Sequence, residues 1–131
     1  MIPAFQYYLF DVDGTLLDSA PDITGAVRAV LDRYGRGQHL TQQYLCSQIG
    51  RHLVGTFSEV FPDHDDDQLT ALIQEYRVTY LGRGHQATRI FPGVAEALAA
   101  LPGKKSTATT KGSPTTASVL ELFGIREYFD H

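Results

Sequence analysis

Two aspartates one residue apart, Asp11 and Asp13, follow directly on an apolar run, Tyr7-Tyr8-Leu9-Phe10, and lead into Gly14. Carboxylates at the mouth of a buried strand repel each other and lose hydration, so packing alone does not favour them there. Residues i and i+2 of a strand face the same side, roughly 6–7 Å apart. The pair can therefore flank one phosphoryl group from a single strand end. The chemistry that suits it is phosphoryl transfer, with one carboxylate as nucleophile and a second acid to protonate the leaving oxygen. A divalent cation would suppress the repulsion. Gly14 turns the chain and brings backbone amides towards anionic oxygens. A plain Asp-Gly turn accounts for neither the apolar run nor Thr15.

These residues need a scaffold. Residues 5–10 read as a nearly continuous apolar strand, which fits a parallel strand covered on both faces. Ser19 is placed as an N-cap, Pro21 sits in the first turn, and Asp22 completes a capping-box spacing. Ile23, Val27, Val30, Leu31 and Tyr34 follow at helical intervals, with Gly35 as the stop. A second helical segment is capped by Thr41, carries Tyr44, Leu45 and Ile49, and closes at Gly50. A third runs from His52 to Phe61 before Pro62, and a longer one from Asp66 carries Leu69, Leu72, Ile73, Tyr76, Tyr80 and Leu81. Four helical patterns with no strand between them predict an all-helical module over residues 19–89. Beyond the Phe91-Pro92-Gly93 turn come a helix over 94–101, a strand over 105–110, a helix over 113–122 and an exit at Gly124-Ile125. Segments 1–18 and 90–131 thus form an α/β layer interrupted by a helical insertion.

The 131 residues suit one domain, or a small domain with an insertion. A net charge of −4 argues against a nucleic-acid or anionic-membrane surface. Lys104-Lys105 reads as a solvated pair. The single cysteine, Cys46, excludes an internal disulfide and reads as a small buried hydrophobe. No basic leader precedes the first apolar stretch, which Asp11 breaks, so the cytoplasm is the expected compartment. The acidic run Asp63-His64-Asp65-Asp66-Asp67 reads as a helix N-terminus, where negative charge suits the dipole.

The segment Phe10-Asp11-Val12-Asp13-Gly14-Thr15-Leu16-Leu17-Asp18-Ser19 resembles motif I of the haloacid dehalogenase-like (HAD) hydrolase superfamily. The helical insertion resembles that family's α-helical cap. Ile90-Phe91-Pro92-Gly93-Val94 with Leu98 and Leu101 resembles the return to the core in phosphoglycolate phosphatase-like members. The resemblance implies an α/β fold with a Rossmann-like core and an inserted α-helical cap. It also implies an aspartyl-phosphate on Asp11, Asp13 as general acid/base, and Mg²⁺ held by Asp11 and by Asp13, the latter through its carbonyl. The dehalogenases of the family lack the second aspartate, so Asp13 points to phosphoryl transfer. The substrate class implied is a small phosphorylated metabolite.

By the same resemblance Thr109 would hold phosphate oxygens together with amides near Gly14. Thr110 stands where the family often has Asn, and Lys111 would add positive charge. Thr109 also reads as an ordinary β-branched strand residue. The stretch Lys105–Thr110 is more polar than a buried parallel strand normally is. Arg51 resembles a substrate-facing cap arginine and reads equally as a solvated helix-start residue. The family's phosphate-gripping lysine and further metal carboxylates have no counterpart before His131. The chain is therefore expected to be a piece of a longer phosphatase and, alone, a poor enzyme. The alternatives are a β-phosphoglucomutase-like phosphomutase, or a non-catalytic phosphate-binding or dimerising module. An uncovered edge on the first strand would favour self-association.

Overall fold

In the computed structural model, which describes residues 4–130, the aromatic run forms strand β1 (Tyr7–Phe10) and ends immediately before Asp11. A turn leads into β2 (Leu17–Asp18), and four helices follow: α1 (Ala20–Arg33), α2 (Gln42–Ser47), α3 (Leu53–Val60) and α4 (Asp66–Gly82). The chain continues through β3 (Arg89–Ile90), α5 (Val94–Ala100), β4 (Lys104–Thr107), α6 (Ser113–Leu122) and a 3-10 turn at Arg126–Tyr128. This is an α/β chain with a helical insertion. It divides into two compact units, one taking the chain up to Asp18 and from Arg89 onward, the other Ser19–Thr88.

In the first unit β1 and β4 pair in parallel, with Tyr7 opposite Lys104 and Phe10 opposite Thr107. Val12, Leu16, Leu17, Leu98, Val119, Leu120, Ile125 and Phe129 form its core. Each such side chain contributes about 1.5–3 kcal/mol on burial. Phe10 meets Phe129 edge-on, with ring centroids 6.2 Å apart. The opposite face of β1 is bare, with Tyr7 69% and Leu9 73% exposed. The expectation of a strand covered on both faces is thus corrected. Among the described residues β1 pairs with β4 alone, and the core lies on the Tyr8/Phe10 side.

β2 and β3 form a two-residue antiparallel ribbon, Leu17 opposite Ile90 and Asp18 opposite Arg89. Strands this short carry no periodicity, which is why the pattern of the sequence does not reveal them. Lys105 is not solvated. It is buried, and its ammonium donates to the carbonyls of Leu101 (2.7 Å) and Gly103 (3.0 Å), at and just beyond the end of α5. The favourable meeting of a cation with a helix's last carbonyls accounts for one polar residue in this strand. Past the 3-10 turn the chain returns to β4: the Asp130 amide donates to the Lys105 carbonyl at 2.8 Å, and the Lys105 amide donates to the Asp130 carboxylate at 2.8 Å.

The helical unit has its own core, in which Val27, Val30 and Leu31 of α1 meet Leu45, Phe57, Phe61, Leu69, Leu72, Tyr76 and Tyr80. Its helix starts follow capping chemistry. Thr41 Oγ1 accepts from the Tyr44 amide at 3.0 Å, and Asp65 and Gln68 form a reciprocal capping box. Asp22 does not close such a box on α1 and is buried instead. Cys46 is exposed on α2 and not a core residue, since this helix of six residues buries Leu45 alone. No helix among the described residues is long and apolar enough to cross a membrane.

Candidate active site

Val12 fixes the geometry of the aspartate pair. Its side chain is fully buried, and its carbonyl accepts the amides of Thr15 (3.2 Å), Leu16 (3.0 Å) and Leu17 (3.1 Å). Gly14 adopts φ +85°, a left-handed conformation that favours glycine, and its amide donates to the Leu17 carbonyl at 2.8 Å. The amides from Gly14 to Leu17 therefore close the turn. Gly14 supplies the bend, and its own amide is taken by the Leu17 carbonyl. With Val12 pinned inward, Asp11 and Asp13 flank it. Asp11 is exposed, with Oδ1 accepting from the Val12 amide at 2.9 Å. The Asp13 side chain is only 12% exposed, and the Lys111 ammonium lies 3.2 Å from its Oδ1.

The parallel pairing of β1 and β4 sends both carboxyl ends to the same end of the sheet. The Ala108 amide donates to the Phe10 carbonyl at 2.8 Å, extending the ladder just past the strands. Thr109, Thr110 and Lys111 then lie in the loop between β4 and α6, not in a strand reaching residue 110. β1 ends at Phe10, so the ladder has no partner further on. Thr109 Oγ1 accepts from the Lys111 amide at 3.1 Å and keeps its own proton to donate. Thr110 is exposed. Ligands of open α/β sheets bind outside the carboxyl ends of the strands, and residues 11–13 and 109–111 meet there.

Arg51 belongs to the helical unit. Its Nη1 donates to Gln48 Oε1 (2.5 Å) and Glu59 Oε1 (3.2 Å), while the Tyr44 hydroxyl donates to Glu59 Oε2 at 2.9 Å. The Tyr44 hydroxyl and the Arg51 guanidinium hold the Glu59 carboxyl below its ordinary value. Both of these contacts use Nη1 alone, and the Arg51 side chain is 44% exposed.

The helical unit also holds a charged cluster that sequence spacing misplaces. Asp22, 1% exposed, accepts from Arg83 Nε (2.9 Å), the Ala87 amide (2.9 Å) and the Thr88 hydroxyl (2.7 Å). Burial by itself pushes this carboxyl up. The hydrogen bonds from Thr88, Arg83 and Ala87, with the guanidinium charge, outweigh it and hold the group below the ordinary value. Its partners lie more than 60 positions away, so no local signal could have found them.

No group of three or more His, Cys, Asp or Glu side chains that could hold a metal exists among the described residues. Mg²⁺ is usually bound by one or two carboxylates plus phosphate oxygens, and it keeps several waters. An open carboxylate on Asp11 beside the Asp13 backbone fits that donor set.

A parallel strand pair with two aspartates at its carboxyl end, and a helical insertion after the first strand, defines an α/β protein with an aspartate pair at a sheet end. The family model for haloacid dehalogenase-like hydrolases matches residues 8–131. A phosphoglycolate phosphatase from Photobacterium profundum is 32% identical over 134 residues, covering 95% of this chain and 58% of that protein. The tyrosine-protein kinase PtkA of Mycobacterium tuberculosis is 30% identical over 135 residues, covering 95% of this chain and 43% of its own. The crystal structure of a predicted phosphatase from Clostridium acetobutylicum superposes with a TM-score of 0.86 at 30% identity, over 98% of this chain and 60% of that one. The chain belongs to the haloacid dehalogenase-like hydrolase family. It spans about half the length of the curated relatives it matches.

Proposed function

We propose that this chain carries the nucleophile-bearing part of a Mg²⁺-dependent phosphomonoesterase site acting on a small phosphorylated metabolite of the phosphoglycolate kind. The observation that carries the proposal is the meeting of Asp11 and Asp13 with Thr109 and Lys111 at one end of the β1–β4 pair, in a chain related to phosphoglycolate phosphatases. An exposed Asp11 carboxylate attacks phosphorus while the bond to the ester oxygen breaks. Asp13 hands a proton to the departing alkoxide, leaving an alcohol and a phosphorylated Asp11. Asp13 then takes a proton from the attacking water, and inorganic phosphate leaves with Asp11 restored. The Thr109 hydroxyl donates to a phosphoryl oxygen throughout. Asp11 and the Asp13 carbonyl would hold Mg²⁺, which would supply neutralisation of the phosphoryl charge. Residues 19–88 would act as the cap that selects the substrate, with Arg51 as a candidate contact, and the cytoplasm is the proposed compartment.

A kinase among the relatives makes the acceptor, water or a hydroxyl, the point an experiment must decide. Incubation with acetyl phosphate and Mg²⁺ should place one phosphoryl group on Asp11, detected by mass spectrometry and absent in Asp11→Asn. Whatever inorganic phosphate the chain releases from 2-phosphoglycolate should be lost in that variant. Phosphate release that survives Asp11→Asn, or a phosphoryl group passed to a protein tyrosine in preference to water, would overturn the assignment.

A further inference from the structure

The two carboxylates of the aspartate pair stand in different surroundings, and one residue accounts for much of the difference. Asp11 is exposed and bonded to its neighbour's amide. Asp13 is 12% exposed, and the ammonium 3.2 Å from its Oδ1 sits on a Lys111 side chain only 6% exposed. Two charges this sheltered from water attract each other much more strongly than a surface pair does. Lys111 reaches that position from the loop after β4, whose course is set by the parallel ladder ending at Thr107 and by the Lys111 amide bonding to Thr109 Oγ1. A lysine devoted to the phosphate would be expected to direct its ammonium outward, past the carboxylates.

We propose that Lys111 is a positioning residue for Asp13. Resting on the phosphoryl-transfer reading above, its ammonium holds the Asp13 carboxylate in place and withholds it from the metal until Asp13 takes from solvent the proton it later donates, leaving Asp11 as the carboxylate open to both cation and phosphorus. Environment, not residue type, then divides the labour between two identical side chains.

Mg²⁺ titration calorimetry on the purified chain tests this without turnover. Lys111→Met should bind Mg²⁺ about threefold tighter or more, since it removes a like charge and frees a carboxylate. Lys111→Arg should keep the wild-type affinity. In an Asp13→Asn background the gain from Lys111→Met should shrink below about twofold. Equal tightening in both backgrounds, or none in either, overturns the proposal. With p-nitrophenyl phosphate, Lys111→Met should lower kcat with little change in KM, and Lys111→Arg should restore it; a raised KM at unchanged kcat marks a phosphate ligand and overturns the positioning role. The two readings fail separately. A coupled Mg²⁺ shift in a chain whose Asp11 takes up no phosphoryl group from acetyl phosphate keeps the positioning role and sinks the phosphatase. Phosphorylation of Asp11 without the shift does the reverse.

Discussion

At the scale of single residues, Asp22 shows how a charge can be buried without penalty to the fold. Its carboxylate takes three hydrogen bonds and a guanidinium charge inside the helical unit. Removing one partner of a buried pair costs about 3–5 kcal/mol. Arg83 is 36% exposed and can turn to water, so Asp22→Asn should cost about 2 kcal/mol at pH 7 by urea unfolding. The folded carboxyl lies below its unfolded value. Its contribution is therefore fully present above about pH 4 and is lost as the pH falls through the lowered folded value. The gap between wild type and Asp22→Asn should close in that acid window; a gap constant from pH 7 to pH 2.5 would show that the charge contributes nothing.

Among the elements, the pairing of β1 with β4 decides where the site forms, and a glycine guards its entry. A Cβ on Gly103 would stand 2.5 Å from the Phe5 carbonyl oxygen and 2.7 Å from that of Gln6. That backbone cannot yield without loosening the 2.9 Å bond from the Lys104 amide to the Gln6 carbonyl. Gly103→Ala should therefore destabilise the first unit by about 2 kcal/mol. Gly82→Ala, at the end of α4 with nothing within 4 Å of the added carbon, should be neutral or stabilising by up to about 1 kcal/mol. Denaturant midpoints of the two variants distinguish them, and equal midpoints would contradict the close approach of backbone at Gly103.

On the scale of the whole molecule, the chain shows water a row of apolar side chains on alternate positions of its first strand and of the segment leading into it. Phe5 is 56%, Tyr7 69% and Leu9 73% exposed. A strand whose apolar side faces solvent invites association. The wild-type chain should sediment with a weight-average mass that rises with concentration. Replacing both Tyr7 and Leu9 by lysine should abolish that rise and leave the melting temperature within a few degrees, since neither side chain is in the core. Unchanged sedimentation of the double variant would place the association elsewhere.

By itself the sequence determined what is local. Apolar spacing, Thr41 as a cap, the acidic run ahead of α4 and Gly35 as a stop are enough to mark the helices, because each rests on contacts within a few residues. The Asp11-Val12-Asp13-Gly14 spacing is local too, and it carries the proposal of phosphoryl chemistry. Partners distant along the chain were decided by tertiary structure. The β2–β3 ribbon joins residues some 70 positions apart, and Asp22, which imitates a capping residue in its local spacing, is taken by Arg83 and Thr88. The Lys105 amide is taken by the Asp130 carboxylate, 25 positions on. Lys111 meets Asp13 across nearly 100 residues. Only the parallel ladder of β1 and β4 makes that meeting possible, since it brings two strand ends, and therefore two loops, to the same place.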